Sequence, residues 1–161
     1  MAVTTESSTE YALTTNVPAK MPASHQWHGR LRIATCEFTQ GSSAGDAGSL
    51  AYLVKLPAGK VRLILPLSRL GYSAMGTGRT MDLGWLAYTD DDGDAVVADP
   101  NGLDDGVSVA TAGSVNPGGT VGGGETYLFE SQGGVTLTAQ INDGTIPAAA
   151  TIKGYFAYVV D

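Results

Sequence analysis

The sequence predicts an all-β fold, a jelly roll or related β-sandwich in one domain preceded by an extended N-terminal arm. Three observations predict it. Short stretches rich in Val, Leu, Thr and aromatic residues recur from Leu31 to the end of the chain, at the spacing of about ten residues that marks successive strands and turns. Twenty-two glycines and seven prolines punctuate those stretches, and both residue types favour turns. No window carries the 3.6-residue apolar period of a long amphipathic helix.

Residues 1–28 read as the arm and residues 29–161 as the sandwich domain. Ser and Thr crowd positions 4–9, and Pro18 and Pro22 break any helix. Tyr11, Leu13, Val17, Met21 and Trp27 nevertheless recur along the arm, spaced as apolar pegs for a surface, its own or a neighbour's. The first strand follows at Leu31–Phe38. Leu50–Leu56 and Lys60–Leu65 are strands joined by Pro57-Ala58-Gly59, a tight turn. Met81, Leu83 and Trp85 alternate with Asp82 and Gly84 as one strand. Asp99-Pro100 reads as a helix cap followed by proline at the first position, so one helical turn is expected across Asp99–Asp105.

Gly113–Gly124 is a glycine-rich connection, expected to be a flexible surface loop or an adaptable contact loop. Glu125–Glu130 is the next strand. Val135–Asn142 is apolar at odd and polar at even positions, the mark of a half-buried strand. Thr151–Val160 is apolar on both faces, so it should run centrally and be covered on both sides.

Charge is divided along the chain. Residues 1–79 hold eight Lys or Arg against four Asp or Glu, and residues 80–161 hold one against twelve, giving +4 and −11 for the stated −7. An acidic chain is a poor nucleic-acid ligand, since phosphate binding needs a basic surface. Folding should set parts of the two halves side by side, leaving a basic region near the arm and acidic hairpin tips suited to contacts between copies or with a lattice. No apolar run approaches the length of a membrane span. Met1–Glu6 lacks the charged and apolar parts of a secretory leader, so synthesis in a host cytoplasm is the expectation.

Candidate chemistry is sparse. Cys36 is the only cysteine and sits in a strand-like stretch as a small buried side chain. Asp90, Asp92 and Asp94 start like a calcium loop, but its sixth and twelfth positions fall on Ala95 and Asn101 rather than glycine and an acid. Asp92-Gly93 between two strand-like stretches reads instead as a hairpin turn. His25 and His28 flank Trp27 without a third ligand nearby. Gly76 and Gly78 precede a strand, so no helix N-terminus is available to cradle phosphate. Ser73 has no partnering histidine. No catalytic residue, metal ligand or cofactor site is assigned, and no enzyme is predicted.

From residue 50 to 161 the chain carries Leu67-Ser68-Arg69, Gly76-Thr77-Gly78-Arg79-Thr80-Met81-Asp82-Leu83-Gly84, Tyr88, Asp92-Gly93, Asp99-Pro100, Leu103-x-x-Gly106 and Gly144-Thr145-Ile146-Pro147-Ala148. In these it resembles the jelly-roll capsid cement proteins, or head decoration proteins, of tailed bacteriophages. The resemblance implies a structural virion protein on the outer surface of the head. It would bind the major capsid protein, clamp neighbouring capsomers against the pressure of packaged DNA, and need no cofactor. The arm lies outside the resemblance.

Contacts to capsid or to other subunits are assigned from the residues themselves. They are the pegs Tyr11, Leu13, Val17, Met21 and Trp27, with Arg69 and Arg79, each of which follows a strand-like stretch; internal pairs of these arginines with Asp82 or Asp99 are the rival reading. The chain is expected to be a homo-oligomer, a dimer ahead of a trimer. The rival function is a carbohydrate-binding β-sandwich on a virion or cell surface, with Trp27, Trp85, Tyr72 and Tyr88 as stacking rings, although Trp85 and Tyr88 sit where a strand would turn them into the core.

Overall fold

The computed structural model describes Pro18 and residues 30–122 and 125–161. Twelve strands form two facing sheets and a small hairpin. They are β1 Arg32–Thr39, β2 Leu50–Lys55, β3 Gly59–Ile64, β4 Arg69–Tyr72, β5 Thr80–Trp85 and β6 Tyr88–Thr89. β7 Ala95–Val96, β8 Asp99–Ser108, β9 Gly113–Val115, β10 Thr126–Ser131, β11 Thr136–Asn142 and β12 Thr151–Val160 follow. The larger sheet runs β10-β3-β12-β4-β9 with β1 on the other edge of β12, and the smaller runs β2-β11-β5-β8. The fold is all-β, a jelly-roll type of sandwich.

Alternation places the core between the sheets. Val61, Leu63, Leu70, Ile152 and Phe156 face inward from the larger sheet against Met81, Leu83, Leu137, Ala139 and Ile141 of the smaller, all fully buried. Burial of each such large side chain contributes about 1.5–3 kcal/mol, so this layer holds the sheets together. The odd-numbered apolar face of β11 is therefore the core face, as its sequence predicts. The β6–β7 hairpin forms at Asp90–Asp94 as expected: the Asp94 amide donates to Asp90 Oδ1 at 2.8 Å, and Gly93 takes φ +96°. Cys36 is buried, and burial pushes its thiol pKa up.

β12 is central. It pairs with β1 along eight residues and, on its other edge, with β3 at Tyr158–Val160 and with β4 at Ile152–Tyr155. β3 and β4 act as one long strand interrupted by a 3-10 turn at Leu65–Leu67. Val160 opposite Val61 and Tyr155 opposite Arg69 show that three extra residues are inserted between them. The interruption strands the Ala157 amide in mid-sheet, and the Ser68 hydroxyl repairs it. Fully buried, Ser68 Oγ accepts from Ala157 N at 3.0 Å and donates to the Ile64 carbonyl at 3.0 Å. Asn116 Nδ2 ties down the same turn by donating to the carbonyls of Pro66 and Ser68. Where the ladder resumes, a Cβ on Gly154 would lie 2.0 Å from the Arg69 carbonyl oxygen, so only glycine fits.

Two expectations change. Asp99–Asp105 forms no helical turn; it begins the edge strand β8. Pairing with β5 outweighs the local capping signal, and Pro100 is tolerated because it lies in an edge-strand bulge. That bulge sets Trp85 opposite Asp99 and Leu83 opposite Asp104, again three extra residues. It folds over β5 so closely that a Cβ on Gly84 would meet the Asp99 carbonyl oxygen at 1.9 Å. Pro57-Ala58-Gly59 links β2 to β3 as expected, and the two strands lie in different sheets, since β2 pairs with β11 while β3 pairs with β10 and β12. The turn carries the chain from one sheet to the other. The far face of β12 is only half covered: Ala157 and Val159 are buried there, while Lys153 and Tyr155 are exposed.

Ser68→Ala leaves the Ala157 amide buried without an acceptor and should cost about 1–3 kcal/mol. Urea unfolding of the variant measures this; an unchanged midpoint would show that the hydroxyl is not what closes the interruption.

Candidate contact surface

The outer face of the larger sheet gathers the features suited to binding another macromolecule. Register places Val159, Arg62 and Leu128 in one row across the strands and sets Ile33 of the edge strand β1 beside Ala157. A second row holds Thr35, Tyr155 and Arg69. Leu31, Ile33, Leu67 and Tyr155 are exposed apolar residues of this side of the molecule or its rim. Arg69 is exposed on β4 and donates to Ser114 Oγ at 2.9 Å. Among the described residues neither Arg62 nor Arg69 meets a carboxylate within 4.0 Å. The face therefore presents cationic groups among apolar ones.

The charge division in the sequence is partly cancelled by folding. Lys60 meets Glu130 at 2.6 Å and Asp91 at 3.3 Å, and Lys153 meets Glu37 at 2.6 Å. Each of these pairs joins a residue before Arg79 to one after it. The Glu130 and Asp91 carboxylates raise the Lys60 pKa and keep it charged. Such exposed pairs shape the field more than they add stability. Asp92 and Asp94 stay exposed in the hairpin turn.

Arg69 and Arg79 are not brought together. Arg79 is half-buried ahead of β5, donates to the Met75 carbonyl, and packs its guanidinium against Gly76 and Gly144. Neither arginine pairs with Asp82 or Asp99. Asp82 accepts instead from Gly106 N at 2.8 Å and Asn142 Nδ2 at 2.5 Å. Tyr11, Leu13, Val17, Met21 and Trp27, like His25 and His28, lie outside the described residues. Arg62, Leu67 and Tyr155 were not singled out from sequence. The signal was present in β12, whose apolar residues occur on both faces although only one face can meet the sandwich core.

The stacking rings proposed for a sugar do not form a platform. Trp85 is buried, with ring centroids 4.9 Å from Tyr127 and 5.2 Å from Phe129, and Tyr88 packs edge-on to Phe129 at 6.0 Å. Tyr72 is half-buried and donates to the Ser108 carbonyl. An open cleft of about 430 Å³ lies near Tyr88, lined by Lys55, Leu86, Gln132 and Thr136 among others. Its lining holds no carboxylate, cysteine or histidine. Among the described residues no three His, Cys, Asp or Glu side chains are grouped to hold a metal, and no helix is long and apolar enough to cross a membrane.

The glycine-rich loop after β9 is not a free connection. The Gly118 and Gly119 amides donate to the two Asp104 carboxylate oxygens at 3.0 and 2.8 Å, and Thr120 bonds to the Asn101 and Leu103 carbonyls. Pro117 and Gly118 are buried by this docking. Burial raises the Asp104 pKa, and the two amides pull it back part of the way.

No family model matches the chain, and no curated protein matches it. Among solved structures, a chain of the cyanophage Pam1 capsid asymmetric unit matches over 92% of this chain and 98% of its own length, with 13% identity and a TM-score of 0.56. At that identity the likeness establishes the shared sandwich fold. A chain of infectious bursal disease virus, Gx strain, matches over 81% of this chain and 32% of its own, with 13% identity and a TM-score of 0.47. The CBM22-1 xylan-binding domain of Paenibacillus barcinonensis Xyn10C matches at a TM-score of 0.32 with 11% identity, over 83% and 96% of the two chains. The last two are too distant to carry an argument.

Because the folded-state pKa of Asp104 is raised, the folded chain binds more protons than the unfolded one between the ordinary carboxylate value and the raised value. Its contribution to stability is therefore greatest at low pH and falls as pH rises through that window. Asp104→Asn should abolish this slope in pH-dependent unfolding. It should also cost about 1–3 kcal/mol near neutrality, because an amide offers one acceptor to two donors. Unchanged stability would show that the loop is held by other contacts.

Proposed function

We propose that this chain is a structural virion protein that binds the outside of a tailed-phage head and cements neighbouring major-capsid subunits against internal DNA pressure. The observation that carries the reading is the match with the Pam1 capsid chain, which extends over 98% of that chain and so includes its whole fold rather than a shared fragment. The cement-protein resemblance of residues 50–161 points the same way. The role is structural rather than enzymatic.

In this reading the exposed rim of the larger sheet's outer face meets the capsid or a second copy, with Arg69 opposite a carboxylate of the partner. The arm, residues 1–28, adds Tyr11, Leu13, Val17, Met21 and Trp27 as further contacts, and Arg79 supports the loops ahead of β5. Weak contacts suffice on a lattice, because each one made converts the next into an intramolecular step. The protein works as a homo-oligomer, a dimer ahead of a trimer, without cofactor or nucleic acid.

Co-sedimentation with purified heads tests the proposal. Binding should weaken between low and moderate salt, where screening shortens the reach of exposed charges, and Arg69→Ala should weaken it at low salt without changing the thermal melt. Retention that ignores both salt and the substitution would contradict a charge-matched contact. Failure to sediment with heads under any condition would contradict the cement role itself.

A further inference from the structure

Four segments of the chain meet around the open cleft of about 430 Å³, a size within the range of about 300–1,000 Å³ that small ligands use. Lys55 closes β2, Thr136 opens β11 directly opposite it, residues 86–89 follow β5, and residues 132–134 lie between β10 and β11. Backbone bonds fix these walls. Leu56 N donates to the Val135 carbonyl at 2.8 Å, Leu86 N to that of Thr136 at 3.0 Å, and Gln132 N to that of Thr89 at 3.0 Å. A Cβ on Gly134 would lie 2.3 Å from the Leu56 carbonyl oxygen, so only glycine closes this wall. The cleft is therefore built before any ligand arrives, and filling it costs little ordering.

The polar groups of the cleft are left free. Lys55 is exposed and, among the described residues, meets no carboxylate within 4.0 Å. The neighbouring hairpin is rich in aspartate, yet no carboxylate lines the cleft, and Asp91 turns to Lys60 at 3.3 Å. The Gly133 and Gly134 amides, outside the strands, donate no hydrogen bond among the described residues, and Gly134 takes φ +82°. Successive free amides at a turn form a concavity that holds anions. Gln132 gives one side-chain hydrogen to the Asp91 carbonyl at 3.4 Å and keeps a second hydrogen and its oxygen for a ligand. Thr89 and Thr136 add hydroxyls that both donate and accept, and the half-buried ring of Tyr88 supplies an apolar wall.

We propose that this cleft binds an acidic sugar, a hexuronate, with its carboxylate on Lys55 and the Gly133 and Gly134 amides. One cation in the lining matches the single charge of a carboxylate. The sugar's hydroxyls, each a donor and an acceptor, suit Gln132 and the two threonines, and its C–H face suits the Tyr88 ring. An acidic peptide would answer the lysine and leave those neutral groups unmatched. Lys55 and Thr136 belong to the smaller sheet, so the site draws nothing from the contact surface on the larger one.

The inference does not rest on the virion reading, and its test uses the isolated full-length chain. Amide NMR spectra are followed during titration with galacturonate and glucuronate, and separately with galactose, acetate, inorganic phosphate and a short polyglutamate peptide. At least one of the two hexuronates should shift the Gly133 and Gly134 amides at millimolar concentration, and the other four probes should bind severalfold more weakly. Lys55→Gln should weaken hexuronate binding about tenfold, the loss of one charged hydrogen bond, with the thermal melt unchanged because Lys55 is exposed. No shift at Gly133 and Gly134 with either hexuronate would overturn the proposal, as would undiminished binding by the Lys55→Gln protein. Equal binding of galactose would overturn the role of the charge, and equal binding of acetate that of the sugar. Tighter binding of phosphate or of the peptide would overturn the choice of ligand.

Discussion

The fold depends on the repair of one interrupted ladder. β12 is the strand to which β1, β3 and β4 all attach, and β3 and β4 follow it in register only if three surplus residues are absorbed between them. Ser68 absorbs them by bridging the Ala157 amide to the Ile64 carbonyl from a fully buried position. The same turn sets the next layer. β10 lies along β3 and β9 along β4, so the chain between β9 and β10 leaves the sheet where the turn lies. That excursion is anchored at Asn116 to the turn itself and at Gly118 and Gly119 to Asp104. A break in a central strand thus becomes the point where both sheets are tied to one loop.

Folding also reshapes the charge division of the sequence. The pairs Lys60–Glu130, Lys60–Asp91 and Lys153–Glu37 are all made across it. What remains on the outer face of the larger sheet is cationic and apolar, while exposed aspartates cluster at the β6–β7 tip. Opposite signs at separate places on one subunit are the kind of charge pattern that complementary contacts use. A groove for a polyanion would need a continuous basic surface, and the acidic balance of this chain does not build one.

Much of the fold was legible in the sequence because period-two alternation reports directly on a half-buried strand. β11, β5 and the Asp92-Gly93 hairpin follow from their residues alone. β8 was not legible: Asp99-Pro100 is a strong local helix signal, and only pairing with β5, a long-range contact, overrides it. The glycine-rich loop misled for a related reason, since Asp104, the residue that docks it, is fourteen and fifteen positions away from its donors. The contact surface was the least legible part. Arg69, singled out from sequence, is exposed on this sheet, but Arg62 and Tyr155 come near it only when β12, β3 and β4 lie side by side. The arm pegs lie outside the described residues.

The central claim is that this sandwich sits on the exterior of a phage head and bridges capsid subunits. Cryo-electron microscopy of the virion at side-chain resolution tests it most directly. The account predicts two-sheet density of this chain outside the shell, spanning neighbouring capsomers, with the outer face of the larger sheet or the arm against them. Density inside the shell, on the tail alone, or absent from the particle would contradict it.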